Sequence, residues 1–241
     1  SKKFLEHIKI WDHMESKSIV PYNTIEIYKK DIKTLSFYAK DINIDCLGYI
    51  VNEDNLVNSV TKIIMANNSF NFTPKKNYSD NLSTCANIIS DYKDVSPEIQ
   101  SKNYTSKTYN QTAININIAH SKSNNNVPRQ IFFNNEILGF LPVNEYCYNL
   151  IWSMPNNLYE KIPLEDMKEY KTFIEERANF ILGEIQEMTI GESFPLSARH
   201  ADVYFYQNNF LIGESAHKFH PLAGLGLNMG IEDISFLTQL I

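Results

Sequence analysis

Residues 213–233, GESAHKFHPLAGLGLNMGIED, decide how this chain is read. They follow a strand-like run, Phe210-Leu211-Ile212, which ends at Gly213 with an acid, Glu214, beside it. A polar turn carries His217 and His220 and closes on Pro221, after which Gly224, Gly226 and Gly230 open a helix toward Leu240. A strand, an acid and a glycine-spaced helix start suit a large anionic, hydroxylated cofactor. First-turn amides have no intrahelical partner and can donate to a ligand, and glycines let a flat ring approach the backbone. Two other readings stay open. His217 and His220 share an i, i+3 spacing that two metal ligands can use, but no third ligand stands at a recognisable spacing and Pro221 follows at once. A plain strand, turn and capped helix would use the same residues, and a lone GxGxxxG often arises without function.

Around that stretch, 241 residues suffice for one large domain or two smaller ones. Hydrophobic residues make up 43% and charged residues 21%, the balance of a soluble globular protein. A formal charge of −6 with scattered lysines and arginines argues against a nucleic-acid partner, and no basic cluster suggests an anionic membrane patch. No run of eighteen apolar residues exists, so no transmembrane segment is expected. Ser1-Lys2-Lys3 leads into an amphipathic segment rather than a signal-peptide core. Cys46, Cys85 and Cys147, odd in number and widely spaced, read as reduced, part-buried thiols of the cytoplasm or an organelle matrix. None of the eight glycines precedes Gly48, which excludes an N-terminal strand with GxGxxG in this text.

The periodicity predicts mixed elements. Phe4, Leu5, Ile8 and Trp11 mark one face of a helix over residues 3–14. Two short strands follow within residues 24–38, then a helix capped by Asp54 with Leu56, Val57, Val60, Ile63 and Ile64 as its apolar stripe. Residues 67–110 are polar and loop-like apart from a buried strand at 86–89. Ile114, Ile116 and Ile118 against Asn115 and Asn117 predict a half-exposed strand, and residues 130–143 a hairpin turning at Asn134-Asn135. Another strand covers 146–152, and Pro163, Glu165 and Asp166 begin a helix running to about Gln186. A last hairpin over 203–212 turns at Asn208-Asn209 and delivers the chain to Gly213. Tyr49, Tyr148, Trp152 and Phe140 line either an aromatic pocket or, as is commoner, the core. His7, His13 and His120 read as solvated or satisfied structural residues, and Arg129 as a surface or packing residue.

The decisive stretch resembles the second flavin-binding motif of class A flavoprotein aromatic hydroxylases, the p-hydroxybenzoate hydroxylase family. It is most similar to the ubiquinone-biosynthesis hydroxylases, whose form reads G-D-A-A-H-x-x-H-P-x-A-G-Q-G-x-N-x-G-x-x-D. Gly213, Ala216, His217, His220, Pro221, Ala223, Gly224, Gly226, Asn228, Gly230 and Asp233 stand at matching positions. Phe194-Pro195-Leu196, Asn125-Asn126-Val127 with Arg129, residues 138–142 and residues 47–51 resemble further family segments, so the likeness runs along nearly the whole chain. Family members begin with a strand, GxGxxG and an acid for the adenosine ribose, and this chain resembles the family from just after them. Three departures stand out. Glu214 replaces the usual aspartate, Leu225 the usual glutamine, and Ser90-Asp91-Tyr92 stands where the family has Asp-Gly.

The resemblance implies an α/β fold. A partial FAD-binding domain would cover residues 1–106, with its small strand pair at 24–38, and residues 193–241. An antiparallel-sheet substrate domain at 107–192 would interrupt it. It implies FAD as cofactor, held by Gly213, Glu214, Pro221, Gly224, Leu225, Gly226, Leu227 and Asn228. The acid would take the ribityl chain, the amides of 224–228 would lie along the isoalloxazine, and Pro221 would sit by its reactive face. NAD(P)H would be the co-substrate. The implied activity is a monooxygenase that hydroxylates an aromatic, prenylated phenol of ubiquinone biosynthesis with O2. Such a substrate implies a cytoplasmic chain peripheral to the inner membrane, or a place in a ubiquinone-biosynthesis complex. No protein nucleophile, triad or metal is called for, because the cofactor carries the chemistry. Two alternatives remain: a relative acting on a soluble aromatic compound, and a degenerate, non-catalytic binding or assembly subunit.

Overall fold

The computed structural model describes residues 1–70, 86–162, 166–220 and 224–240. In chain order the helices and strands are α1 (Lys2–His7), β1 (Ile19–Tyr22), β2 (Thr24–Lys29), β3 (Ile32–Tyr38), β4 (Gly48–Val51), α2 (Glu53–Met65), β5 (Asn87–Ile89), α3 (Pro97–Lys102) and β6 (Tyr104–His120). They continue as β7 (Arg129–Phe133), β8 (Glu136–Asn144), β9 (Cys147–Pro155), α4 (Asn156–Tyr159), α5 (Met167–Leu182), β10 (Ile185–Ala201), β11 (Phe205–Tyr206), β12 (Asn209–Leu211), β13 (His217–Lys218) and α6 (Leu225–Leu240). Contacts divide the chain into a first unit (1–13, 57–109 and 197–241) and a second unit (14–56 and 110–196). The architecture is mixed α/β.

The second unit is built on a sheet of order β10-β6-β9-β8-β7-β2-β3. Pairing is antiparallel between β6 and β9, β9 and β8, β8 and β7, and β2 and β3, whereas β2 and β7 run parallel. Ile114, Ile116 and Ile118 face Trp152, Leu150 and Tyr148 in register, as the alternation predicted, and all six are buried. Tyr170, Ile174, Ala178 and Leu182 of α5 complete that core. The Asp166 carboxylate caps α5 by accepting from the Lys168 and Glu169 amides, while Pro163 and Glu165 lie outside the described residues. The helix stops at Leu182, short of Gln186, because Gly183 turns at φ 66° and Ile185 already belongs to β10.

Several expectations change here. Tyr148, Trp152 and Phe140 do not change: they are fully buried core residues, the commoner of their two readings. His120 is neither solvated nor satisfied: it is wholly buried, stacked on Tyr148, and neither ring nitrogen has hydrogen-bond geometry. Arg129 is a packing residue, as expected, held by Glu26 at 2.8 Å, the Asn124 carbonyl and the Tyr148 hydroxyl. Glu136 and Arg177 form a second buried pair at 2.7 Å, and the Trp152 indole N–H donates to the same carboxylate. α2 is capped by Asn52, whose side-chain oxygen accepts from the Asn55 amide, rather than by Asp54. α1 ends at His7, well before Met14, because Lys9 adopts φ 64°.

The first unit holds a small sheet of order β11-β12-β5, in which β12 and β5 are parallel. Ile88 of β5 is 55% exposed while Ile89 packs partly buried against this unit's core, so the strand predicted as buried is half-exposed. The β11–β12 turn falls at Gln207, with φ 54°, and Asn208, one residue earlier than predicted. Val95, Ile99, Ala201, Leu211 and Ala216 form this unit's core. Cys46 and Cys147 are free thiols of intermediate burial, and Cys85 lies outside the described residues.

Candidate cofactor site

The parallel register of β5 and β12 pairs Ile88 with Phe210 and Ile89 with Leu211. Both strands therefore release the chain at the same end, β5 into Ser90 and β12 through Ile212 into Gly213. The crevice beyond the carboxyl ends of parallel strands is where open α/β sheets bind ligands. The Ile212 amide donates to the Ile89 carbonyl at 3.0 Å, and the Ser215 amide to the Ser90 carbonyl at 2.9 Å. Ser215 is fully buried, and its hydroxyl lies against the Ile89 and Ile212 carbonyls. The Tyr104 hydroxyl donates to the Ser215 carbonyl at 2.6 Å, and burial pushes its pKa up to about 12.

Gly213 turns at φ 55°, a left-handed conformation that glycine adopts without strain. Its N–H donates to Asp233 Oδ2 at 2.8 Å, and the same oxygen accepts from His217 Nε2 at 2.7 Å. The Glu214 carbonyl accepts from the Arg199 guanidinium at 3.0 Å. That guanidinium lies 3.3 Å from the centre of the Tyr92 ring, which in turn meets Tyr104 edge-on at 5.1 Å. Tyr92, standing where the family has glycine, thus has its ring taken up in a stack. The Glu214 side chain is exposed and makes no hydrogen bond among the described residues.

Across the turn, α6 begins at Leu225 behind Gly224, which has φ 60°. Residues 224–228 are exposed, with Leu225 at 50% and Leu227 at 64%. Among the described residues outside the local backbone, no atom lies within 4 Å of a Cβ built on Gly224 or Gly226, so both present bare backbone on that side. The Asn228 amide is occupied, donating to the Gly224 carbonyl at 3.1 Å and accepting from the Ser1 hydroxyl at 2.6 Å. Gly230 docks α6 on the turn, since a Cβ there would meet Gly213 Cα at 3.4 Å. Gly226 lies one helical turn (about 6 Å) before that contact. Pro221 lies outside the described residues. His220 meets the Tyr109 ring edge-on, and burial lowers its pKa. Among the described residues no group of three His, Cys, Asp or Glu side chains is placed to hold a metal.

An exposed carboxylate and a strip of exposed glycine backbone at the start of α6 fit the sugar-alcohol chain and flat ring of FAD. An open cavity of about 380 Å³ in the second unit, bordered by Ile27, Lys29, Thr34 and Phe132, contains none of these residues. Reasoning from sequence had no role for Arg199, Ser215 or Asp233. Asp233 and His217 were visible only as motif positions, and Arg199 carried no signal because its contacts are all tertiary.

The family model described as an FAD binding domain matches residues 93–241, and the chain belongs to that family. Its curated relatives include the mitochondrial ubiquinone biosynthesis monooxygenase COQ6 of Xenopus tropicalis, 23% identical over 99% of this chain and 64% of that protein. They also include the 3-demethoxyubiquinol 3-hydroxylase of Escherichia coli K12, 21% identical over 100% of this chain and 66% of that protein. The chain thus spans slightly less than two thirds of these relatives. A variant of Pseudomonas aeruginosa PqsL shares the fold at a TM-score of 0.78 and 13% identity, covering 98% of this chain and 72% of that one. The flavin-dependent halogenase CmlS superposes at 0.73 and 11% identity, covering 97% and 48%.

Proposed function

We propose that this chain is the ribityl- and ring-binding part of an FAD-dependent monooxygenase. The enzyme hydroxylates a prenylated phenol intermediate of ubiquinone biosynthesis, with NAD(P)H as reductant and O2 as oxidant. The observation that carries this reading is the free Glu214 carboxylate on a turn packed against α6, whose first glycines expose open backbone. The names of the ubiquinone-pathway relatives support the substrate class. Bound FAD would supply the electron transfer and oxygen activation. Glu214 would accept from a ribityl hydroxyl, Gly213 would shape the turn, and the backbone of Gly224, Leu225, Gly226, Leu227 and Asn228 would lie along the ring. Pro221 is assigned to the ring's reactive face by the resemblance. The second unit, with the antiparallel strands of 107–192, is assigned to the aromatic substrate. No helix among the described residues is long and apolar enough to cross a membrane. A cytoplasmic chain touching the inner membrane peripherally, or acting within a biosynthetic complex, suits a lipid-like substrate.

Tyr92 favours a second reading, because a side chain replaces the family glycine whose backbone approaches the pyrophosphate. A non-catalytic relative that kept the fold would tolerate that change. The two readings separate on a visible spectrum of the whole protein with added FAD. Flavin absorbance retained through gel filtration and a raised melting temperature are expected of the enzyme. Loss of both would leave the non-catalytic reading.

A further inference from the structure

We propose that Asp233 and Arg199 are positioning residues that aim the Glu214 carboxylate, an inference that rests on the FAD reading above. The backbone around Glu214 is pinned on both sides. Before it, the Gly213 N–H is held by Asp233 at 2.8 Å and the Gly213 carbonyl by the Ala216 amide at 3.0 Å. After it, the Glu214 carbonyl is held by Arg199 at 3.0 Å and the Ser215 N–H by the Ser90 carbonyl at 2.9 Å. Two of these four clamps are charged side chains, and such hydrogen bonds are the stronger kind.

Each clamp is itself held. Asp233 stands three residues after Gly230, on the helix face that docks on Gly213. His217 fixes its carboxylate at 2.7 Å from a nearly fully buried position. The Arg199 guanidinium carbon stands 3.3 Å from the centre of the Tyr92 ring, a contact that restrains the group donating to the carbonyl. In contrast, the Glu214 side chain is exposed and its carboxylate makes no hydrogen bond or ion pair among the described residues. Glutamate reaches one methylene further than aspartate and has one more rotatable bond, so a fixed backbone matters more for aiming it. Preorganised polar groups bind without the reorganisation that a loose loop requires.

The test is a double-mutant cycle on FAD affinity, read by flavin fluorescence titration of the whole protein. Glu214→Gln and Asp233→Asn should each weaken FAD binding about tenfold, the size of one lost charged hydrogen bond. The double variant should be no weaker than about tenfold, because Asp233 acts through Glu214. A merely structural Asp233 would give additive losses, about a hundredfold together, and additivity overturns the proposal. Wild-type affinity in Asp233→Asn overturns it as well. If Asp233→Asn does not fold, Arg199→Lys replaces it in the same cycle, and additivity or wild-type affinity again overturns the proposal. Lysine keeps the charge but loses the planar fork. Wild-type protein that binds no FAD refutes the FAD reading itself, whereas FAD binding with additive losses leaves that reading intact and removes only the positioning role.

Discussion

Gly226→Val separates cofactor binding from folding. A Cβ at Gly226 meets no described atom within 4 Å outside its own helix backbone, and its φ is not left-handed, so valine fits the described surroundings without clash. Valine is a better helix residue than glycine by a few tenths of a kcal/mol. For a chain of this size that raises the melting temperature by about 1 °C. The open space is where the flavin ring is proposed to lie, and the two methyls would push it off the backbone. Overpacking a close contact costs about 1–3 kcal/mol, which is about a 5- to 150-fold loss of FAD affinity. Gly230→Val serves as the contrast, since its Cβ would stand 3.4 Å from Gly213 Cα and the two added methyls crowd that contact, so a lower apo melting temperature is expected. Differential scanning fluorimetry of the apo protein and FAD titration of the same samples read both quantities. A Gly226→Val protein that melts normally and binds FAD like wild type would refute the assignment of the ring to this backbone.

Further outcomes follow from the second unit. Glu136→Ala leaves the buried Arg177 guanidinium and the Trp152 N–H without their acceptor, and urea unfolding should report a loss of about 3–5 kcal/mol. Burial lowers the His120 pKa, and the Arg129 charge adds to that, while the Lys122 backbone opposes it. A histidine depressed in the folded state contributes stability above its unfolded pKa of about 6.5 that is lost as pH falls. His120→Phe should therefore abolish that part of the melting-temperature drop between about pH 7 and pH 5. At Glu26, burial raises the pKa, but hydrogen bonds from Lys33, Tyr28 and Arg129 outweigh it and the net shift is downward. Its stabilisation is present above its ordinary value of 4.5 and lost as pH falls through the lower folded one. Glu26→Gln should flatten the melting curve against pH below about 4.5, and an unchanged acid limb would refute the coupling.

Local pattern predicted much of the second unit. The alternation of Ile114, Ile116 and Ile118 marked a strand, and Asn134, at φ 55°, turned the hairpin as its residue type suggests. β10 was missed because residues 185–201 carry Gly191 and Pro195 and no clean alternation, and only its place beside β6 makes it a strand. The predicted ends of α1 and α5 ran too far because one left-handed residue, Lys9 or Gly183, stops each of them. The aromatic residues were ambiguous for a similar reason. Burial of Tyr148 and Trp152 depends on strands and a helix distant in sequence, which alternation cannot report.

Taken alone, the sequence determined the family, the glycine spacing and the acid after Gly213, because these are local choices of backbone freedom and charge. The tertiary structure decided what makes that acid usable. The parallel pairing of β5 with β12 brings Ser90 beside Ser215, and the docking of Gly230 brings Asp233 to the Gly213 amide. The fold of the chain likewise sets Arg199 between the Tyr92 ring and the Glu214 carbonyl. Each of those contacts joins residues far apart in the chain or on separate elements. Hydrogen bonds of about 3 Å require donor and acceptor to be placed within a few tenths of an ångström, a placement set by strand register and helix position, and no spacing rule read along the chain contains that information.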